Sequence, residues 1–155
     1  MGKGPTIYTP QIAALPLRWE GKKPRVLMVT SRDTKRWIMP KGWMMDGKKP
    51  WRAAEIEALE EAGAVGTILP EAIGHYHYIK RMHDDPDVPC RVTVYPMMVE
   101  RLKRRWKEQG ERKRRWFSPR KAAKLVNEPE LATLLKEIAV ERRKQPVIKE
   151  LLKAS

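Results

Sequence analysis

Between residues 40 and 64 a loop rich in glycine, proline and lysine runs directly into a short helix that carries three glutamates. The loop reads Pro40-Lys41-Gly42-Trp43-Met44-Met45-Asp46-Gly47-Lys48-Lys49-Pro50. Pro50 suits the first helical position and Gly63 the position just past the end. At about 100° per residue, Glu57, Glu60 and Glu61 share one face. Ile56, Ala58, Leu59 and Ala62 lie round the other side as the seam to be buried. Glu57 and Glu61 repel at i,i+4, and no Lys or Arg stands at 60, 61, 64 or 65 to relieve them. A solvated acidic face would tolerate this arrangement. So would a site for a hard cation, because Mg²⁺ or Mn²⁺ takes oxygen ligands from carboxylates and substrate phosphates. The Gly/Lys loop placed just before the face favours the cation.

Composition narrows the setting. The 155 residues are 41% hydrophobic with six Trp, which suits one folded domain with a real core. No apolar run reaches the roughly 20 residues of a membrane span, and the N-terminus has no apolar signal core. The single cysteine, Cys90, fits a reducing compartment, so a cytoplasmic location is expected. The net charge of +14 attracts polyanions, with a small phosphorylated molecule and nucleic acid both open as partners. Oligomeric state cannot be read from these residues.

Strands are expected at 11–17, 25–30 and 37–39 before the helix. Pro16 points to an edge or a bulge in the first. After Gly63, strands are expected at 72–82 and 91–102, joined by the polar turn His83–Pro89. Residues 103–115 carry eight basic and two acidic side chains, six units of the net charge. Trp116-Phe117 reads as a short strand. Ser118-Pro119 then caps a helix over 119–126, a second helix begins at Glu128-Pro129, and Val147–Lys153 is a helical turn or a tail. Strands mixed with central and terminal helices imply a layered α/β fold.

The 40–64 stretch resembles the Nudix box: Gly, five residues, Glu, seven residues, Arg-Glu, an aliphatic, any residue, Glu-Glu, any residue, Gly, aliphatic. Gly42, Glu57, Glu60, Glu61 and Gly63 match, with Ala58 and Ala64 at the aliphatic places; Lys48 and Ile56 replace the first Glu and the Arg. The resemblance implies a Nudix α/β/α sandwich with a mixed sheet over about 9–140, a lead-in at 1–8 and a helical extension or tail at 141–155. It also implies pyrophosphohydrolase activity with Mg²⁺ (or Mn²⁺) held by Glu57, Glu60 and Glu61, and by the Gly42 carbonyl. The general base is then Glu60 or Glu61, or Glu108 or Glu111 in the late loop.

Arg32-Asp33, Trp37–Trp43 and Arg112–Phe117 are similar to the diphosphoinositol polyphosphate phosphohydrolase branch of that family. Through that likeness Arg32, Lys41, Arg112 and Arg114 are the expected phosphate contacts. Diphosphoinositol or diadenosine polyphosphates become the expected substrates. An RNA 5′-triphosphate is the enzymatic alternative, and a catalytically weakened domain that senses a nucleotide or RNA is the non-enzymatic one. His75 and His77 alternate in a strand and share a side, which suits packing or surface better than a metal pair. Asp84, Asp85 and Asp87 suit a turn.

Overall fold

The structure, a computed structural model, describes residues 4–141 and 146–154. The remaining parts of the expected lead-in and tail (1–3, 142–145 and 155) lie outside the described residues. The strands are β1 (Thr9–Glu20), β2 (Lys23–Thr30), β3 (Trp37–Ile38), β4 (Lys41–Trp43), β5 (Ala64–Ile68), β6 (Gly74–Lys80), β7 (Val88–Leu102) and β8 (Arg114–Phe117). The helices are α1 (Pro50–Ala62), α2 (Pro119–Leu125), α3 (Pro129–Glu141) and α4 (Pro146–Ala154). No described helix is long and apolar enough to cross a membrane.

One mixed sheet runs β3-β2-β1-β7-β5, with β4 on β1, β6 on β7 and β8 on β2. β1 and β7 pair in parallel, and every other pair is antiparallel. Alternation along β1 explains the layers. Ile12 and Ala14 face α1, whereas Ala13, Leu15 and Leu17 face the layer of α2, α3 and α4. Both sets are fully buried, so the strand reads as a continuous apolar run. The result is the expected α/β/α sandwich. Ile148 and Leu151 of α4 are buried in the same core as α3, so the C-terminal extension packs on the sheet.

Three local expectations are corrected. Pro16 lies on a central strand, not an edge. On one side of β1, β4 pairs with Gln11–Ala13 and β2 with Leu17–Glu20, and Pro16 sits in the gap between those ladders. The seam of α1 is made of Ala53, Ala54, Ala58 and Ala62, all buried; Leu59 is exposed and Ile56 only half-buried. Small side chains let the helix lie close on the sheet. Finally, β5 starts directly after the helix cap, where no strand was expected, and β8 begins two residues early inside the basic run.

β5 carries a bulge between Val65 and Gly66 against β7. A Cβ at Gly66 would lie 1.9 Å from the Met98 carbonyl oxygen, a backbone atom that cannot step aside. Gly66→Ala should therefore destabilise the fold by about 1–3 kcal/mol, as overpacking does. Urea unfolding monitored by Trp fluorescence measures it, and an unchanged midpoint would contradict the register described here.

Candidate active site

The helix that carries the glutamates is secured at its end by the basic loop. Pro50 opens α1, and Gly63 closes it in the left-handed region (φ 64°), its N–H reaching back to Ala58 and Leu59 carbonyls. The last carbonyls of a helix have no partner within it. Here each finds one in the stretch 103–114: Glu60 O accepts from Glu108 N (3.0 Å) and Gly63 O from Lys103 N (2.8 Å). Glu61 O accepts from Trp106 Nε1 (3.0 Å) and Ala62 O from Arg114 Nη1 (2.9 Å). The Arg114 guanidinium also stacks 3.8 Å over the Trp106 ring. Arg114, expected to touch phosphate, is therefore committed to the negative end of α1 and does not line the cleft.

The carboxylates lie on the face of α1 turned toward β4. A Cβ on Gly42 would sit 2.5 Å from Glu57 Oε1, so a larger residue there would push the Glu57 carboxylate out of its place. Glu61 is 5% exposed. Its Oε1 accepts from the Lys41 backbone N–H (3.3 Å) and its Oε2 stands 3.5 Å from Arg112 Nη2. Glu57 and Glu61 are hydrogen-bonded to each other, and burial pushes both carboxyls up, Glu61 to about 8. Such a close pair, with Glu61 buried and Glu57 half-buried, either shares a proton or is ionised at both members with a cation beside it. Glu60, on the same face, reaches Lys107 at 3.5 Å.

The residues fit a hard divalent cation in chemistry: an oxygen-only set, two closely placed carboxyls that repel each other, and an adjoining open cleft. Among the described residues, no three His, Cys, Asp or Glu side chains close on one point as they stand. The preformed part of the set is the Glu57–Glu61 pair, with Glu60 turned toward Lys107.

The cleft holds about 400 Å³, with Glu57, Glu60 and Glu61 on one side. Arg32, Arg36, Lys41, Lys80 and Arg81 bring positive charge to it. Burial pulls the Lys41 ammonium down to about 8 against the opposing attraction of Glu61. Lys41 Nζ lies 5.0 Å from the Tyr78 ring centre, and Lys80 Nζ 5.7 Å from that of Trp43. Arg32 is at the mouth, 3.7 Å from Glu111. Of the two loop glutamates, Glu108 lines the cleft and is held by Arg112 Nε at 2.8 Å. Glu111 is exposed and lies outside the lining, because its carboxylate turns to Arg32.

Arg36, Lys80 and Arg81 were missed in the sequence. Arg36 is brought in by Glu128 at the start of α3 (3.3 Å), a contact across 92 residues that no local pattern announces. Lys80-Arg81 ends β6, and a basic pair leaving a strand beside a polar turn was the available signal. His77 gives its backbone N–H to Glu130 (2.9 Å), pairs its ring Nδ1 with the same carboxylate (2.8 Å) and packs on Tyr8. Asp87 binds Arg81 and the Met82 N–H, the turn role expected of it.

The NUDIX domain family model matches residues 8–138, and the chain belongs to that family. It is 30% identical to Nudix hydrolase 16, mitochondrial, of Arabidopsis thaliana over 83% of this chain and 73% of that one. It is 32% identical to human diphosphoinositol polyphosphate phosphohydrolase 3-alpha over 79% of this chain and 71% of that one. Among solved structures it is similar in fold to a C. elegans Ap4A hydrolase binary complex, with TM-score 0.65 at 18% identity, covering 88% of this chain and 99% of the other. The protein is a Nudix pyrophosphohydrolase, from a family that generally uses divalent metals.

Linkage gives a test of the carboxyl pair. With its folded pKa raised to about 8, Glu61 binds a proton in the native state that the unfolded chain has released above the ordinary carboxylate range. Its contribution is complete at low pH and is lost as pH rises from about 4.5 to 8. With chelator present, thermal unfolding of the wild type should fall through that window more steeply than that of Glu61→Gln. Parallel pH profiles would contradict the raised value.

Proposed function

We propose that the chain hydrolyses a phosphoanhydride bond in a small, highly phosphorylated molecule, a diphosphoinositol polyphosphate or a diadenosine polyphosphate. One observation carries this reading: the buried Glu61 and the half-buried Glu57 stand as a carboxylate pair in the wall of a cleft to which Arg32, Arg36, Lys41, Lys80 and Arg81 bring positive charge. Such a cleft is matched to a compact polyanion next to a divalent cation. The names of the human relative and of the nematode neighbour, a diphosphoinositol polyphosphate phosphohydrolase and an Ap4A hydrolase, agree with it.

Glu57, Glu60, Glu61 and the Gly42 carbonyl would hold Mg²⁺, which supplies neutralisation of pyrophosphate charge and a more acidic attacking water. Arg32 and Arg36 give planar paired donors to phosphate oxygens, and Lys41 and Lys80 give point charges. Gathered around the cleft, they stabilise charge that grows on the leaving phosphate. Proton removal from the water falls to Glu60, Glu61 or Glu108, the glutamates that line the cleft besides Glu57.

A second reading, cleavage at a 5′-triphosphorylated RNA end, draws on Arg101, Lys103, Arg104 and Arg105. These exposed cations stand together outside the cleft, where a longer polyanion could continue. The purified protein with Mg²⁺ should release phosphate or pyrophosphate from one of diphosphoinositol polyphosphates, diadenosine polyphosphates, nucleoside triphosphates and 5′-triphosphorylated RNA. Glu60→Gln and Glu61→Gln should lower turnover by about 10²-fold or more while the fold is kept. Absence of turnover on the whole panel with Mg²⁺ or Mn²⁺, together with retained binding, would replace the hydrolase by a sensor.

A further inference from the structure

We propose that Arg112 is a positioning residue whose single guanidinium holds Glu61 of α1 and Glu108 of the loop in place beside each other in the cleft wall. The proposal rests on the reading of Glu61 as a metal-facing carboxylate. Helix α1 provides no cation for that carboxylate. Ile56 is turned away into an apolar groove with Val65 and Met97, and Lys48 is exposed on the preceding loop.

Arg112 comes from elsewhere in the chain and its side chain is 7% exposed. Its Nε donates to Glu108 Oε1 (2.8 Å), its Nη1 to the Thr30 carbonyl (3.0 Å), and its Nη2 stands 3.5 Å from Glu61 Oε2. All three nitrogens thus face internal acceptors on three different segments, so the guanidinium is held in place from within the protein even though Arg112 also lines the cleft. The next residue ties the guanidinium's base to β2: Lys113 N donates to Thr30 Oγ1 (2.9 Å), and Thr30 N to Lys113 O (3.0 Å). A planar fork can bridge two carboxylates and a carbonyl at once, whereas an ammonium on a flexible stem cannot hold the same three directions. This internal role stands beside the expectation that Arg112 contacts phosphate, and the two predict different kinetics.

The test compares wild type, Arg112→Ala and Arg112→Lys by steady-state kinetics on the substrate that the wild type turns over, and by Mn²⁺ binding followed through the EPR signal of free Mn²⁺. Positioning predicts a kcat and a Mn²⁺ affinity each lowered by about 10–100-fold, with KM little changed. Lys should recover only part of the loss, and millimolar guanidinium ion should restore both quantities in the Ala variant. A raised KM with kcat and Mn²⁺ affinity intact would overturn the proposal in favour of a phosphate contact. Loss of both quantities in a folded Ala variant that guanidinium does not restore would also overturn it, in favour of a general structural role. If Arg112→Ala does not fold, Arg112→Lys decides: wild-type kcat and Mn²⁺ affinity overturn the proposal. If the wild type turns over nothing, the hydrolase reading fails by itself, and Mn²⁺ affinity equal in wild type and variants would sink the clamp separately.

Discussion

The C-terminus of α1 is where the fold and the site depend on each other. A helix end exposes carbonyls that must be paired. In this protein the pairing is done by residues brought from forty or more positions later: Lys103, Trp106, Glu108 and Arg114. Each of these bonds also fixes the rotation of α1 about its own axis. That rotation decides whether Glu57 and Glu61 meet Gly42 and Lys41 or point into solvent. The same loop that closes the helix then continues as β8 into the sheet, so the carboxylate face and the strand wall opposite it are registered through one segment.

Charge is arranged around that frame in two tiers. Inside, Arg112 and Glu61 face each other, and Lys41 adds charge at the price of its own hydration, which is why burial and Glu61 pull its protonation in opposite directions. At the mouth, Arg32 and Glu111 are solvent-exposed, and pairs of that kind are worth little in water. An incoming phosphate would therefore meet little resistance in drawing Arg32 away from its partner. Of the inner tier, Arg112 is already engaged with Glu108 and the Thr30 carbonyl, whereas Lys41 lines the cleft as a phosphate candidate. This separates residues that shape the cleft from residues free to bind.

How much of this was legible follows the range of the interactions. The limits of α1 came out to the residue, because Pro50 and Gly63 act through their own backbone geometry. The Glu57–Glu60–Glu61 face followed from helical period alone, and Ser118 caps α2 as its type and place suggest, accepting from Lys121 N at 3.2 Å. β5 was invisible because Gly66 reads as a breaker, whereas its lack of a side chain is what permits the bulge against Met98. Pro16 misled for a related reason: a missing N–H marks an edge only when both neighbouring ladders are continuous. Arg112 and Arg114 were legible as basic, but their internal partners were not: Glu108, the Thr30 carbonyl and Glu61 for Arg112, and the Ala62 carbonyl for Arg114. Nothing in a run of like charges shows which members turn inward.

The replacements at Lys48 and Ile56 weigh less once these partners are known. A box read as a linear pattern treats each position as an independent requirement, so a lost arginine counts against the site. In three dimensions the requirement is that Glu61 have a fixed cation and that α1 not rotate. Arg112 meets the first from a loop, and the four capped carbonyls meet the second. Position 56 is then free to carry an apolar side chain against Val65 and Met97. Because the cation now arrives with the loop, the geometry of the carboxylates depends on that loop being seated. A disturbance at Trp106 or Gly63, remote from the cleft wall, would reach Glu61 through the helix end before it altered any phosphate contact.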